Sequence, residues 1–206
     1  METLQLGVLG SGNGSNLQAI LDVIAACKLE AKVACVISDV ADAFILERAR
    51  EAGVPAFHVD CGPSKSKLEK DAEQRAISIL QEHGADTVAL AGFMRIIKPD
   101  LLRAFPQRVL NIHPSLLPSF PGLRAWEQAL NYGVRHSGCT VHFVDEGMDT
   151  GPIILQRTVL VHDRDTPDTL HKRIQSQEHI AYIEALRLLA RGRIKIEGRR
   201  VLRTND

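Results

Sequence analysis

An asparagine and a histidine stand two residues apart at the end of a predicted strand. The apolar run Val109–Ile112 predicts a buried strand, and in strand geometry Asn111 and His113 point to the same side. Prolines follow at once and end the strand. A carboxamide beside an imidazole can stabilise an oxyanion and move a proton. We therefore treat both as candidate catalytic residues; the alternative is a structural, hydrogen-bonded histidine.

A second candidate segment is the loop Asp145–Pro152, between two predicted strands. It holds Asp145, Glu146 and Asp149 among glycines and a proline. Those residue types suit a functional turn, and they are equally common in a solvated loop. The spacing alone does not show that Asp149 reaches His113, and it does not match a calcium-binding loop.

A glycine-rich segment, Gly10–Asn16, lies between the first predicted strand and the first predicted helix. Its backbone N–H groups and the helix N-terminus favour a phosphate, with Gly14, Ser15 and Asn16 as the closest residues. Two alternatives remain. A nicotinamide site would use Asp39 for the ribose, although Ser15 replaces the third fingerprint glycine; a turn without a ligand is the other.

Strand-like and helix-like segments alternate along the chain and predict the elements that position these residues. The predicted strands are Leu4–Leu9, Lys32–Ser38, Ala56–Val59, Thr87–Ala91, Val109–Ile112, Thr140–Val144, Ile153–Val161, Arg193–Glu197 and Arg199–Leu202. The predicted helices are Ser15–Cys27, Ala43–Ala52, Lys67–His83, Pro99–Ala104, Ala125–Tyr132 and Pro167–Arg191. Thr166 is the expected N-cap of the last helix, with Pro167 at its first position, and Gly53 is expected to close the second helix. The last two strands are expected to form a terminal hairpin about Gly198.

This order predicts an α/β fold: a mostly parallel twisted sheet with helices on both faces, Rossmann-like in class. Ligands of such sheets bind beyond the carboxyl ends of the strands. The segments after Leu9, Ala91 and Ile112 should therefore meet at one site. We expect a single domain over residues 1–206, with residues 1–100 forming an acceptor-binding half and residues 101–206 a catalytic and donor-binding half.

Composition narrows the class of protein. Lys+Arg and Asp+Glu both number 25 in 206 residues, so the net charge of zero favours neither nucleic acid nor an anionic membrane as partner. No apolar run approaches the roughly 18 residues of a membrane span. The four cysteines, at positions 27, 35, 61 and 139, show no metal-ligand spacing. We expect reduced, mostly buried thiols, no metal and a cytoplasmic location.

The segment 111–118, Asn-x-His-x-Ser-Leu-Leu-Pro followed by Phe120-Pro121-Gly122, resembles the folate-dependent formyltransferase superfamily. Gly12–Leu17 is similar to the phosphate loop of its phosphoribosylglycinamide (GAR) formyltransferase branch. Further similar segments are 91–96, 140–144, 149–154 and 175–179, so the resemblance runs from Gly7 to about Gly192. Arg124-Ala125-Trp126 departs from the branch pattern, which leaves contacts with the outer folate tail open.

The resemblance implies roles by position. Asn111, His113 and Asp149 match the catalytic trio. Positions matching acceptor contacts are Gly14, Ser15, Asn16, Gln175 and Glu178; those matching the folate pocket are Met94, Arg95, Ile96, Ile97, Val144 and Asp145; supporting positions are Thr140 and His142. Whether the Leu117–Pro118 bond is cis, which would turn the loop back over the site, stays open at this point.

The activity implied is direct transfer of the formyl group of 10-formyltetrahydrofolate to the amine of GAR in purine biosynthesis, through a tetrahedral intermediate. The partners implied are those two small molecules, and the protein is expected to be a monomer or homodimer. A formyltetrahydrofolate hydrolase and a non-catalytic nucleotide- or folate-binding sensor remain alternatives. A tRNA formylase is disfavoured, since we see no basic surface or extra basic domain.

Overall fold

Strands and covering helices build both units of the chain. The structure, a computed structural model, describes residues 3–62 and 68–204. The chain divides into two compact units, Met1–Asn111 and Ile112–Asp206. The predicted division into halves at residue 100 stays a prediction.

The first unit alternates strands and helices. Its elements are β1 (Leu4–Leu9), α1 (Ser15–Ala25), β2 (Ala31–Ser38), α2 (Phe44–Glu51), β3 (Ala56–His58), α3 (Lys70–Glu82), β4 (Thr87–Leu90), α4 (Pro99–Ala104) and β5 (Val109–His113), the last of which runs into the second unit. All pairs are parallel, in the order β3-β2-β1-β4-β5. Aliphatic side chains such as Leu6, Val36 and Val88 are fully buried in its core.

The second unit carries the antiparallel pairs. Its elements are α5 (Ala125–Tyr132), β6 (His136–Phe143), β7 (Ile153–Leu160), α6 (Pro167–Ala190), β8 (Ile194–Glu197) and β9 (Arg200–Arg203). β6 and β7 are antiparallel, β7 and β9 are parallel, and β8 and β9 form the predicted terminal hairpin. The predicted α/β class, with a mostly parallel sheet flanked by helices, is confirmed.

Two predicted boundaries are wrong for physical reasons. β6 begins at His136, four residues before the predicted Thr140, because His136–Cys139 pair with Arg157–Leu160 of β7 despite their weak strand signal. The first helix ends at Ala25, since Cys27 has a φ of 56° and cannot continue it. The helix predicted over Lys67–His83 is Lys70–Glu82, and Lys67 lies outside the described residues.

Two predicted features at helix ends are confirmed, and one open question about a proline bond is answered. Thr166 caps α6 in a reciprocal capping box with Thr169, and Pro167 occupies the first helical turn. Gly53 follows α2 in a left-handed conformation, with a φ of 68°. The Leu117–Pro118 bond is cis.

The cysteines are free thiols, and three of the four are buried. Burial raises the pKa of Cys35 to about 11 and that of Cys139 to about 12, so neither is a thiolate at neutral pH. In the parts of the chain that the structure describes, no helix is both long and apolar enough to cross a bilayer.

Candidate active site

The carboxylate of Asp149 lies between two imidazoles in the second unit. Its Oδ2 is 3.3 Å from Nδ1 of His113 and accepts the N–H of Gly122 at 2.8 Å. Its Oδ1 is 3.8 Å from Nε2 of His142. The fold therefore brings Asp149 to His113, which the sequence spacing left open.

A backbone carbonyl fixes the ring of His113. Nε2 is 2.9 Å from the carbonyl oxygen of Phe120. A carbonyl only accepts hydrogen bonds, so Nε2 carries a proton and donates it there. Nδ1 is consequently the nitrogen that faces Asp149. The side chain is buried, and Asn111, two residues earlier on β5, is half-buried at the carboxyl end of the same strand.

In His142 the protonated ring nitrogen is Nδ1, whereas in His113 it is Nε2. Nδ1 of His142 is 2.8 Å from the carbonyl oxygen of Phe143, so Nδ1 is the protonated nitrogen. Burial lowers the pKa of His142, and the Phe143 carbonyl and Asp149 only partly oppose that effect. The ring is therefore neutral near pH 7. The separation of 3.8 Å from Asp149 exceeds a direct hydrogen bond.

Thr140 and Gln156 hold the proline-rich loop that follows His113. The Thr140 hydroxyl donates to the carbonyl of Ser115 at 2.7 Å and accepts the N–H of Leu117 at 3.0 Å. Gln156 donates to the Leu117 carbonyl and to the Thr140 hydroxyl, both at 2.9 Å. Thr140 is fully buried, so these bonds satisfy groups that water does not reach.

The loop that carries Asp149 has its own supports. Asp145 Oδ1 accepts the Thr150 hydroxyl at 2.6 Å and the Gly147 N–H at 3.1 Å. Arg199, in the hairpin between β8 and β9, donates to the Thr150 carbonyl at 2.9 Å. Asp149 has a φ of 55°, a left-handed conformation that costs energy for any residue but glycine. The surrounding contacts stabilise it.

The glycine-rich loop of the first unit packs tightly against α2. A Cβ at Gly14, whose φ is 75°, would lie 2.9 Å from the Cα of Ile45. Arg48 donates to the Asn13 carbonyl at 2.8 Å and to its side-chain oxygen at 3.1 Å. The predicted acceptor residues follow directly: Gly14 precedes α1, Ser15 begins it, and Asn16 is buried in its first turn. The loop thus leads directly into the N-terminus of α1, and phosphate binding there stays a prediction.

Asp39 does not occupy the role that a nicotinamide site would require. Its Oδ1 accepts the Ser11 hydroxyl at 2.5 Å, and its Oδ2 pairs with Nε of Arg95 at 2.6 Å. Both carboxylate oxygens are thus engaged within the protein. A ribose-binding acid presents its carboxylate to the ligand, so the structure does not favour the nicotinamide alternative.

The predicted folate-pocket segment after β4 alternates in exposure. Met94 and Ile96 are 50% and 45% exposed, whereas Ile97 is 6% exposed. Arg95 is mostly buried and directs Nε to Asp39. Two apolar side chains of this segment are thus available to a ligand. In the second unit, Val144 and Asp145 follow β6 and are half-buried.

Gln175 and Glu178 lie on α6, three residues apart on neighbouring turns. Gln175 is half-buried and Glu178 is buried. Within residues 3–62 and 68–204, no group of three His, Cys, Asp or Glu residues is placed to hold a metal ion.

Sequence reasoning missed several contacts at this site. Phe120 and Gly122 act through their backbone, which leaves no side-chain signal. Gln156, Arg48 and Arg199 are ordinary polar residues in their elements, and only their partners distinguish them. Ser11 lies inside the predicted glycine-rich loop, and this position is the sequence feature that could have identified it.

Comparisons with known proteins show the family to which the chain belongs. The family model described as formyl transferase matches residues 4–186. The phosphoribosylglycinamide formyltransferase of Escherichia coli (strain K12) is 44% identical over 193 residues, which cover 94% of this chain and 90% of that protein.

Two solved structures are similar to this chain over nearly its whole length. Glycinamide ribonucleotide transformylase 1 from Symbiobacterium toebii matches with a TM-score of 0.94 and 52% identity, covering 99% of this chain and 95% of that one. A formyltetrahydrofolate deformylase from Pseudomonas syringae matches with a TM-score of 0.91 but 28% identity, covering 98% and 66%. The family model spans most of the chain, and the chain therefore belongs to the formyl transferase family.

Proposed function

We propose that this protein transfers the formyl group of 10-formyltetrahydrofolate to the amine of GAR, giving N-formyl-GAR and tetrahydrofolate in purine biosynthesis. The relatives from Escherichia coli and Symbiobacterium toebii carry the corresponding names. The observation that carries the proposal is the placement of Asp149 against His113 at the end of β5. Higher identity to these two proteins than to the deformylase favours transfer over hydrolysis.

The reaction needs one acyl transfer and one proton transfer. The amine of GAR attacks the formyl carbon, and a C–N bond forms. Negative charge develops on the formyl oxygen in the tetrahedral intermediate. The bond from the formyl carbon to the folate nitrogen then breaks, and the proton lost by the amine ends on that nitrogen. No residue of the protein needs to form a covalent bond.

Asn111 and His113 stabilise the developing oxyanion in this proposal. Nε2 already donates to the Phe120 carbonyl, so a hydrogen bond from His113 to the formyl oxygen requires a proton on Nδ1 as well. A preorganised donor stabilises an oxyanion without reorganising during the reaction. The Asn111 amide adds a neutral donor from the same side of β5.

Asp149 moves the proton in this proposal. Its Oδ2 adjoins His113 Nδ1, and the Gly122 N–H holds the carboxylate in place. A carboxylate so placed can take the proton from the attacking amine, directly or through water, and return it to the leaving nitrogen. Neutral His142 borders the same carboxylate at 3.8 Å, a separation too long for a direct hydrogen bond.

The phosphate of GAR is proposed to bind at Gly14, Ser15 and Asn16, where the α1 N-terminus supplies N–H groups and a favourable dipole. Gln175 and Glu178 are proposed as further acceptor contacts. In the first unit, the segment Met94–Ile97 is proposed as a folate contact. In the second unit, the backbone at Val144 and Asp145 is proposed as a folate contact. The exposed side chains of Met94 and Ile96 provide apolar surface for a ring system.

A spectrophotometric assay tests the proposal. The protein is mixed with 10-formyltetrahydrofolate, with and without GAR. Deformylation that depends on GAR supports the transferase. Deformylation that proceeds equally without GAR identifies a hydrolase instead. Folate binding without turnover in either mixture identifies a non-catalytic sensor. The cytoplasmic location and the monomeric or homodimeric state remain predictions.

A further inference from the structure

Ser11 connects two loops of the first unit. Its backbone N–H donates to the Gly92 carbonyl at 3.1 Å, and its hydroxyl accepts the Met94 N–H at 2.9 Å. The same hydroxyl donates to Asp39 Oδ1. Ser11 belongs to the glycine-rich loop after β1, whereas Gly92 and Met94 belong to the loop after β4. The two loops are therefore joined side by side.

Asp39, which follows β2, holds both loops at once. Its second carboxylate oxygen pairs with Arg95 Nε at 2.6 Å, one residue beyond Met94. The Asp39 side chain is 3% exposed and that of Arg95 is 12% exposed. A buried carboxylate is costly unless charge and hydrogen bonds compensate it. Here both oxygens have partners, one from each loop.

We infer that Asp39 is a positioning residue that fixes the acceptor-binding loop and the folate-binding loop in one arrangement, through Ser11 and Arg95. The identity of the two ligands rests on the proposed function. Asp39 itself is too buried to contact them. Its effect passes through the Met94 N–H, because the Met94 side chain next to that amide is half exposed and available to the folate.

Two substitutions separate charge from hydrogen bonding. Asp39→Asn can still accept from Arg95 through its oxygen while its NH2 group donates to the Ser11 hydroxyl, so most of the geometry survives. Asp39→Ala removes both hydrogen bonds and leaves Arg95 without this carboxylate. We expect the Asn variant to be mild and the Ala variant severe. Asp42→Ala, an exposed position between β2 and α2, is the matched control.

The first test measures kcat and both KM values. In Asp39→Ala we expect the KM for GAR and the KM for 10-formyltetrahydrofolate each to rise about tenfold, the scale of a lost charge-assisted hydrogen bond. The effect on kcat should be smaller. Asp39→Asn should recover most of both KM values, and Asp42→Ala should match the wild type.

The second test does not need substrates. Hydrogen exchange of the Met94 amide should accelerate in Asp39→Ala and in Ser11→Ala, under conditions where both variants remain folded, and should stay slow in Asp42→Ala. A lower melting temperature with unchanged KM values and unchanged Met94 exchange would overturn the inference, because Asp39 would then only support the fold.

These measurements distinguish a failure of the proposed function from a failure of the positioning role of Asp39. If the wild type shows no GAR-dependent turnover, the proposed function is wrong, and Met94 exchange still decides whether Asp39 positions the loop. If the wild type transfers the formyl group and the Asp39→Ala variant keeps both KM values, the positioning role is wrong and the function stands.

Discussion

Asp149 Oδ2 and His113 Nδ1 are 3.3 Å apart, and the same oxygen accepts the Gly122 N–H. The Phe120 carbonyl orients the histidine from the other side of the ring. Backbone groups thus hold both members of the pair, although the two side chains lie on separate segments.

Replacement of Asp149 by asparagine tests this pair. The carboxamide that replaces the carboxylate keeps its shape but cannot accept the proton, so we expect turnover to fall by about a hundredfold or more. Asp163→Asn is the control, since Asp163 is exposed and pairs with Arg135 at the surface. Steady-state kinetics, with thermal unfolding to check the fold, measures the effect. If Asp149→Asn keeps more than about a tenth of wild-type turnover, the assigned role is wrong.

Gly14 and Gly12 have opposite steric surroundings. A Cβ at Gly14 meets the Ile45 backbone at 2.9 Å, whereas a Cβ at Gly12 meets nothing within 4 Å. Gly14→Ala should therefore destabilise the protein, by about 1 kcal/mol or more because of the positive φ alone. Gly12→Ala should fold normally. Chemical unfolding measures both.

Gly12→Ala also tests for the phosphate. If the phosphate of GAR approaches this loop closely, the added methyl should raise the KM for GAR while stability stays the same. An unchanged KM would place the phosphate away from Gly12.

The buried Thr140 hydroxyl serves three hydrogen-bond partners. Thr140→Val keeps the volume and leaves the Leu117 N–H without that acceptor. We expect a loss of about 1–3 kcal/mol in the free energy of unfolding. The exposed Thr158 on β7 offers the control Thr158→Val, which should change stability by less than about 0.5 kcal/mol. Equal losses in both variants would contradict the supporting role of Thr140.

Arg199 supports the Asp149 loop through the Thr150 carbonyl. Arg199→Ala should lower kcat several-fold, about 1 kcal/mol in barrier height, with little change in either KM. Arg199→Lys should recover part of the loss, because an ammonium can still donate to the carbonyl. Arg200→Ala removes the same charge from the neighbouring residue and should have no effect. A decrease shared by the variants at 199 and 200 would point to charge alone.

Stability should fall in mild acid because partial or full burial lowers the pKa of three histidines. Burial lowers the pKa of His171, which stacks on Trp126 with the ring centroids 3.7 Å apart. The unfolded chain therefore binds more protons than the folded protein once the pH falls to the ordinary value of 6.5. The contribution of His171 to the free energy of unfolding is therefore fully present above pH 6.5 and is lost as the pH falls below that value. The pKa values of His142 and His179 shift in the same direction.

His171→Phe keeps an aromatic ring against Trp126 and removes the titration. We expect a smaller loss of unfolding free energy between pH 7 and pH 5 in this variant than in the wild type. Urea unfolding at the two pH values measures it. Parallel losses in both proteins would show that His171 does not contribute.

Most elements of the fold were predictable from local patterns. Apolar runs marked the parallel strands, and Thr166, Pro167 and Gly53 marked helix ends because capping acts over a few residues. The first half of β6 was not predictable: His136 and Ser137 have little strand preference, and their pairing with Leu160 and Val159 supplies the reason for the strand.

The sequence by itself determined the α/β class, the position of the glycine-rich loop before α1 and the placement of Asn111 and His113 on one strand. These depend on periodicity and on residues close together in the chain. Only the tertiary structure decided which side chains meet. It brought Asp149 to His113, Asp39 to Ser11 and Arg95, and Arg199 to Thr150. A hydrogen bond depends on the distance and the direction between two groups. The types of two residues that lie 28 to 56 positions apart in the chain specify neither quantity.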